Sequence, residues 1–218
     1  MDVIYSSVEF FVAGGIFMYP ILGVCAVGAA IAIERLIRLK LVTTKNRAMW
    51  TKLQPLVAER QFEQARELTA KDDSTISQLL NVGLERQGAV RRREDIEIAM
   101  EECMMEILPQ LDKRTAYVGL AANIATLLGL LGTIMGLIQA FTAVANANPA
   151  EKADLLSASI SVAMNTTAFG LLVAIPLLAM HTVIAQRTGQ IVAALEMASV
   201  KLLNAVYSSA KRQFQAAA

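Results

Sequence analysis

The chain has 218 residues, 55% hydrophobic and 18% charged, with a mean hydropathy of +0.47, a balance that points to a membrane protein. Two cysteines in unlike segments exclude a disulfide scaffold, and a single histidine excludes a His/Cys metal cluster. The net charge of +1 names no partner, and neither nucleic acid nor a cofactor is expected.

In chain order, the opening MDVIYSSVEFF lacks a basic n-region and is expected to be retained rather than cleaved. Three runs then carry no Asp, Glu, Lys or Arg: 10–33, 115–150 and 155–186. Each exceeds the roughly 20 residues that a helix needs to cross about 30 Å of hydrocarbon. None alternates as a barrel strand would, so helices are the form in which these runs can satisfy their backbone in lipid. The expected fold is all-α: three transmembrane helices, with long helices projecting into the cytoplasm. It divides into an outer N-terminus and first span (1–33), a cytoplasmic helical region (34–114), a hairpin of the second and third spans (115–186) and a cytoplasmic C-terminal helix (187–218).

Orientation follows from the basic residues. Residues 34–114 hold fifteen of the twenty Lys and Arg, four more follow the last span, and the loop after the second span has only Lys152. The positive-inside rule therefore predicts an outer N-terminus and a cytoplasmic C-terminus. The loop itself, Asn146-Ala-Asn-Pro149 followed by Glu151, Lys152 and Asp154, reads as a tight connection between antiparallel spans.

Within 34–114, Ile76, Leu79, Leu80, Gly83 and Leu84 recur at helical spacing behind a candidate N-cap, Ser74. Ile96, Met100, Cys103, Met104, Ile107 and Leu111 form a second stripe, expected to run on into the second span with a kink at Pro109. Arg91, Arg92 and Arg93, followed by Glu94, Asp95 and Glu97, read as a solvated helix start. After the third span, Ile191, Leu195, Ala198 and Leu202 share one helix face. Pro20 and Pro176 are expected to kink their spans.

The second and third spans are lined with small and polar groups. Thr126, Gly129, Thr133, Gly136 and Ala140 recur at steps of three and four, and Gly132 with Gly136 makes a G-x-x-x-G pair. Ala163, Thr167, Gly170 and Ala174 repeat the theme, with Ser161, Asn165 and Thr166 near the outer end. Small residues let helix backbones approach in lipid, so Gly129, Gly132, Gly136, Gly170 and Ala174 are candidate packing positions. Thr133 and Thr167 fall near the bilayer midplane on paired helices, where a hydroxyl is costly without a partner. They head an ion-path set completed by Thr126, Asn165 and Thr166. The bland alternative, a back-bond to the preceding turn, stays open. No span contains a carboxylate, so if ions cross here the titrating group must come from another chain. His181, near the inner end of the third span, reads as an interfacial or packing residue. No nucleophile–base pair, metal set or phosphate loop suggests an enzyme.

These residues carry a resemblance. Gly129-Leu-Leu-Gly-Thr-Ile-Met-Gly136, continuing to Phe141, resembles the second-span signature of the MotA/TolQ/ExbB proton-channel family. Asn165-Thr-Thr-Ala-Phe-Gly-Leu-Leu-Val-Ala-Ile-Pro176 resembles its third-span signature, and Ile33-Glu-Arg-Leu-Ile-Arg38 its exit from the first span. Size and three spans fit the ExbB/TolQ branch better than the larger, four-span MotA. The resemblance implies a homo-pentamer in the bacterial inner membrane, its second and third spans lining a pore. Two copies of a single-span ExbD/TolR/MotB-like partner would sit inside, each supplying an Asp beside Thr133 and Thr167. Work would pass to a TonB/TolA-like protein or the envelope. Some ExbB members carry Glu early in the third span where this chain has Val162 and Asn165, and the family often has Pro where Thr126 stands. The competing reading is a membrane scaffold that conducts nothing.

Overall fold

The computed structural model describes Phe11, residues 14–87 and residues 93–216. The reading of the first ten residues and of the Arg91-Arg92 pair lies outside the described residues. The described residues form, in order, α1 (Met18–Ala58), α2 (Phe62–Ala70), α3 (Thr75–Gln87), α4 (Arg93–Asp112), α5 (Thr115–Asn146) and α6 (Lys152–Ala216). No strand occurs among the described residues. Stretches in α1, in α4–α5 and in α6 are long and apolar enough to cross a membrane, as the three charge-free runs predict.

The chain forms two compact units. One comprises the chain up to Arg35 together with Arg114–Val183, and contains the first part of α1, α5 and most of the apolar part of α6. Its outward surface is greasy: Leu127, Leu172 and Ile175 are each more than 60% exposed. Side chains of this kind, left outside along whole helices, suit a hydrocarbon solvent rather than water. Pro20 lies in the first turn of α1, where its missing N–H is one that the helix leaves unpaired anyway, so the expected kink there does not arise. Pro176 is passed by α6 without a break.

The helix break after α4 is not at Pro109, which lies inside the helix, but at Arg114, whose φ of 65° is left-handed. The second stripe therefore does not run on into the second span. A non-glycine residue in that region is strained by its Cβ. Arg114 keeps the conformation while its guanidinium meets Glu34 at 3.6 Å and its carbonyl accepts the Tyr117 N–H.

The other unit comprises Leu36–Lys113 and the chain from Ile184. Leu39, Leu53, Leu79, Leu80, Met100, Leu195 and Leu202 are fully buried in it. Ile76, Leu79, Leu80, Gly83 and Leu84 on α3 face inward, as do Ile96, Met100, Ile107 and Leu111 on α4, while Cys103 and Met104 of the second stripe are half-buried. Gly83 matters for its lack of a side chain, since a Cβ there would meet Met100 Sδ at 2.7 Å and Leu202 Cδ2 at 2.9 Å. The start of α3 is capped twice. Ser74 Oγ accepts the Ser77 N–H at 3.4 Å, and Asn46 of α1 accepts the Ile76 N–H at 3.3 Å.

Ser77 Oγ and the Ser74 N–H also donate to Asp72 Oδ2, at 2.8 and 3.0 Å. Burial works against the charged Asp72 carboxylate. The Ser74 and Ser77 hydroxyls, the Ser74 N–H and the nearby Lys45 outweigh it and hold the carboxyl below its ordinary range. In that case the unfolded chain binds the proton more readily, so Asp72 contributes stability that is present above about pH 4 and is lost as the pH falls through the lowered value. Thermal denaturation is expected to show Asp72→Asn lowering stability at neutral pH, with the gap from the parent closing in acid. Ser74→Ala should cost about 1 kcal/mol through the lost cap.

Candidate ion path along the helical hairpin

Facing glycines set how close α5 and α6 come. A Cβ at Gly129 would lie 3.3 Å from the Cα atoms of Gly170 and Thr167, and one at Gly170 would lie 2.8 Å from the Ala125 carbonyl oxygen. Gly136 packs on Ala163, Gly132 on the Thr166 side chain, and Gly119 under the His181 ring. The pairs 119/181, 129/170, 132/166 and 136/163 run in opposite directions along the two helices, which fixes an antiparallel hairpin. In that register Thr133 and Thr167 stand at nearly one height. The connection is the short one that the Asn-Pro pattern predicts, with the Glu151 N–H closing on the Asn148 carbonyl at 3.0 Å.

The first helix closes one side of this pair. Gly28 of α1 faces Ala121 and Leu177, and Phe17 reaches Gly132. With Gly129 as zero on the α5 wheel, Ala121 lies about 80° to one side, while Thr133 and Thr126 lie about 40° and 60° to the other. On α6, Leu177 lies about 80° from Thr167. Because the helices are antiparallel, their wheels are mirror images across the interface. Thr126, Thr133 and Thr167 therefore share the flank turned away from α1. The rest of that flank is apolar, with Leu130, Leu171 and Leu178 exposed.

Each hydroxyl has a defined partner. Thr133 Oγ1 donates to the Leu130 carbonyl at 2.6 Å and Thr126 Oγ1 to that of Ala122 at 3.1 Å. Thr167 Oγ1 reaches across to the Gly129 carbonyl at 2.8 Å. Each proton is thus committed to a backbone oxygen, which leaves the hydroxyl lone pairs as acceptors. Thr133 and Thr126 take up back-bonds of the bland kind, whereas Thr167 ties the two helices together.

Two candidates from the sequence stand elsewhere. Thr166 is about 100° round α6 from Thr167 and is 1% exposed. It shares its one proton between the Gly14 and Val162 carbonyls, at 2.7 and 2.9 Å. Asn165 is about 200° from Thr167, on the opposite side of α6. Ala174 is buried, two turns further along α6 from Thr167. Absent from the sequence-based set were Thr115 and Gly119. The sequence does carry a sign of Gly119, the seven-residue spacing of 119, 126 and 133 that matches 167, 174 and 181.

Three long apolar helices, two joined as a close-packed hairpin with hydroxyls on one flank, define a multi-pass helical membrane protein. The chain belongs to the MotA/TolQ/ExbB proton channel family, whose model matches residues 71–197, and it sits in the ExbB-like branch. It is 29% identical over 192 residues to a biopolymer transport protein ExbB homolog of Methanothermobacter thermautotrophicus, covering 84% of this chain and 64% of that one. It is 27% identical over 164 residues to a biopolymer transport protein ExbB-like 3 of Synechocystis sp., covering 75% and 77%. A stretch of 56 residues is 48% identical to biopolymer transport protein exbB1 of Vibrio cholerae, 26% of this chain and 25% of that one. The chain thus spans slightly less than two thirds of the Methanothermobacter protein. These relationships place it among the membrane proteins of a channel- and transport-associated family.

Proposed function

We propose that the chain is the pore-building subunit of a proton-driven motor in the bacterial inner membrane, with its N-terminus outside and its C-terminus in the cytoplasm. Five copies surround two copies of a single-span partner of the ExbD/TolR/MotB kind, each supplying one Asp. The observation that carries this reading is the flank of the α5–α6 pair turned away from α1. It presents three hydroxyls, two of them at one height, on an otherwise apolar surface. A mostly apolar helix bearing one acid fits such a surface. The acid meets oxygens that accept hydrogen bonds, so it docks as a protonated, neutral carboxyl. A carboxylate at that depth would be far costlier. Loss of the proton at the inner side removes that match and lets the ring step round the partner. The step does work on a TonB/TolA-like protein or on the envelope.

On this reading Thr133, Thr167 and Thr126 line the path. Thr166 is a positioning group behind it, and Gly129, Gly132, Gly136, Gly170 and Ala174 hold the hairpin together. The interhelical bond of Thr167 supports a second reading, a scaffold in which the threonines serve packing alone. The native mass of the purified complex, expressed with and without its single-span partner, separates the two. Five copies joined by two partner chains are expected. A monomer or dimer unaffected by the partner would leave no pore for these threonines to line.

A further inference from the structure

The hairpin carries a second polar station at its inner end. His181 is the single histidine of the chain, and it follows Thr167 and Ala174 at steps of seven along one line of α6. Seven residues advance about 10 Å and turn only about 20° off register, so the imidazole lies on the same flank about 21 Å inward of Thr167. Facing it, Gly119 continues the line of Thr133 and Thr126 on α5. The ring lies against the bare Gly119 backbone, with Cδ2 and Nε2 each 3.3 Å from where a Cβ would stand. One turn further in on the same face of α5 is Thr115. It is 3% exposed, and its Oγ1 has no hydrogen-bond partner among the described residues. A buried hydroxyl of this kind costs free energy unless water or another polar group reaches it.

We propose that His181, with Thr115 beside Gly119, is the inner proton acceptor of the path and makes the coupling ion a proton rather than sodium. The inference rests on the pore reading above. The proton leaving the partner's carboxyl passes through water along the Thr126 level to an imidazole nitrogen. The imidazolium then releases it to water on the inner side, and the ring returns to its neutral form. Nothing is oxidised or reduced, and one proton enters and leaves. An imidazole suits this role because one ring nitrogen can accept a proton while the other still holds one. Sodium instead needs a shell of oxygen ligands, as hard cations do. The charged and titratable groups around this level are Glu34 and Arg35 on α1, Arg114 at the break before α5, Tyr117 on α5, and Arg187 further along α6. Glu34 and Arg114 pair with each other at 3.6 Å, so their charges offset one another.

The test compares Thr133→Val and His181→Gln in the complex purified with its partner and placed in vesicles, reading proton uptake under a pH gradient. Both variants are expected to keep the native mass. His181→Gln should transport at least about tenfold slower, with added imidazole restoring part of the rate and sodium supporting none. Loss in Thr133→Val with His181→Gln at the parental rate would overturn the role of His181 and leave the pore reading standing. Full transport in Thr133→Val would overturn both. Should His181→Gln fail to assemble, hydrogen exchange at the imidazole carbon of the unmodified complex decides. Exchange close to that of a free imidazole supports the role, and protection by more than about tenfold ends it.

Discussion

Gly170→Leu is expected to leave no assembled complex, because the backbone of α5 occupies the space that any side chain at 170 requires. A Cβ alone would stand 2.8 Å from the Ala125 carbonyl oxygen and 3.0 Å from the Gly129 Cα. Neither atom belongs to a flexible side chain that can turn aside, so the helices themselves must separate. Overpacking in a core commonly costs about 1–3 kcal/mol through shifts of side chains. Here the shift would open the whole hairpin and break the Thr167–Gly129 bond with it. Size-exclusion chromatography of the detergent-solubilised variant should show aggregate or no protein. Gly189→Ala is the control on the same helix. Its Cβ would enter open space, and exchanging glycine for alanine in a helix should raise stability by about 0.5–1 kcal/mol. If Gly170→Leu behaved like Gly189→Ala, the close crossing would be wrong.

That crossing was half legible in the sequence. The small-residue steps at 129, 132 and 136 and at 163, 167, 170 and 174 marked faces that approach closely, and all of these but Ala174 are seen to meet across the hairpin. Periodicity ranks positions around one helix but does not say which neighbour covers each face. Thr166 and Thr167 are adjacent in the sequence and polar alike. Only the seat of the N-terminal segment, whose Gly14 carbonyl takes the Thr166 hydroxyl, turns one inward and leaves the other on the open flank. The Arg114 break was illegible for a different reason. Gly, Asn and Pro announce a reversal because their own backbone preferences favour it. An arginine at φ 65° has no such preference and is held by its surroundings. Asn46, 30 residues before the Ile76 N–H that it caps, lay beyond any local pattern. Ser74, three residues before the N–H it accepts, was read directly.

Thr167→Val and Thr166→Val are expected to fail in opposite ways, although they are neighbours with the same change in shape. Valine at 167 deletes the bond to Gly129 and the acceptor lone pairs on the open flank. In a membrane protein an interhelical hydroxyl bond is worth only about 0.6–2 kcal/mol, so the hairpin and the native mass should survive. Transport should nonetheless fall by about a hundredfold or more, as it should for Thr133→Val, since an incoming carboxyl finds no oxygen to donate to. Thr167→Ser keeps the hydroxyl and should keep most of the rate. Valine at 166 leaves the open flank untouched but strips the Gly14 carbonyl of its hydroxyl donor at a fully buried position. Leaving a buried acceptor unsatisfied costs about 1–3 kcal/mol, so Thr166→Val should melt lower while the folded complexes transport at the parental rate. Melting temperature and transport rate, measured on all four variants, place each hydroxyl on one side of that division. Were Thr167→Val to lose only stability, its hydroxyl would be a packing element and the path would have to run elsewhere.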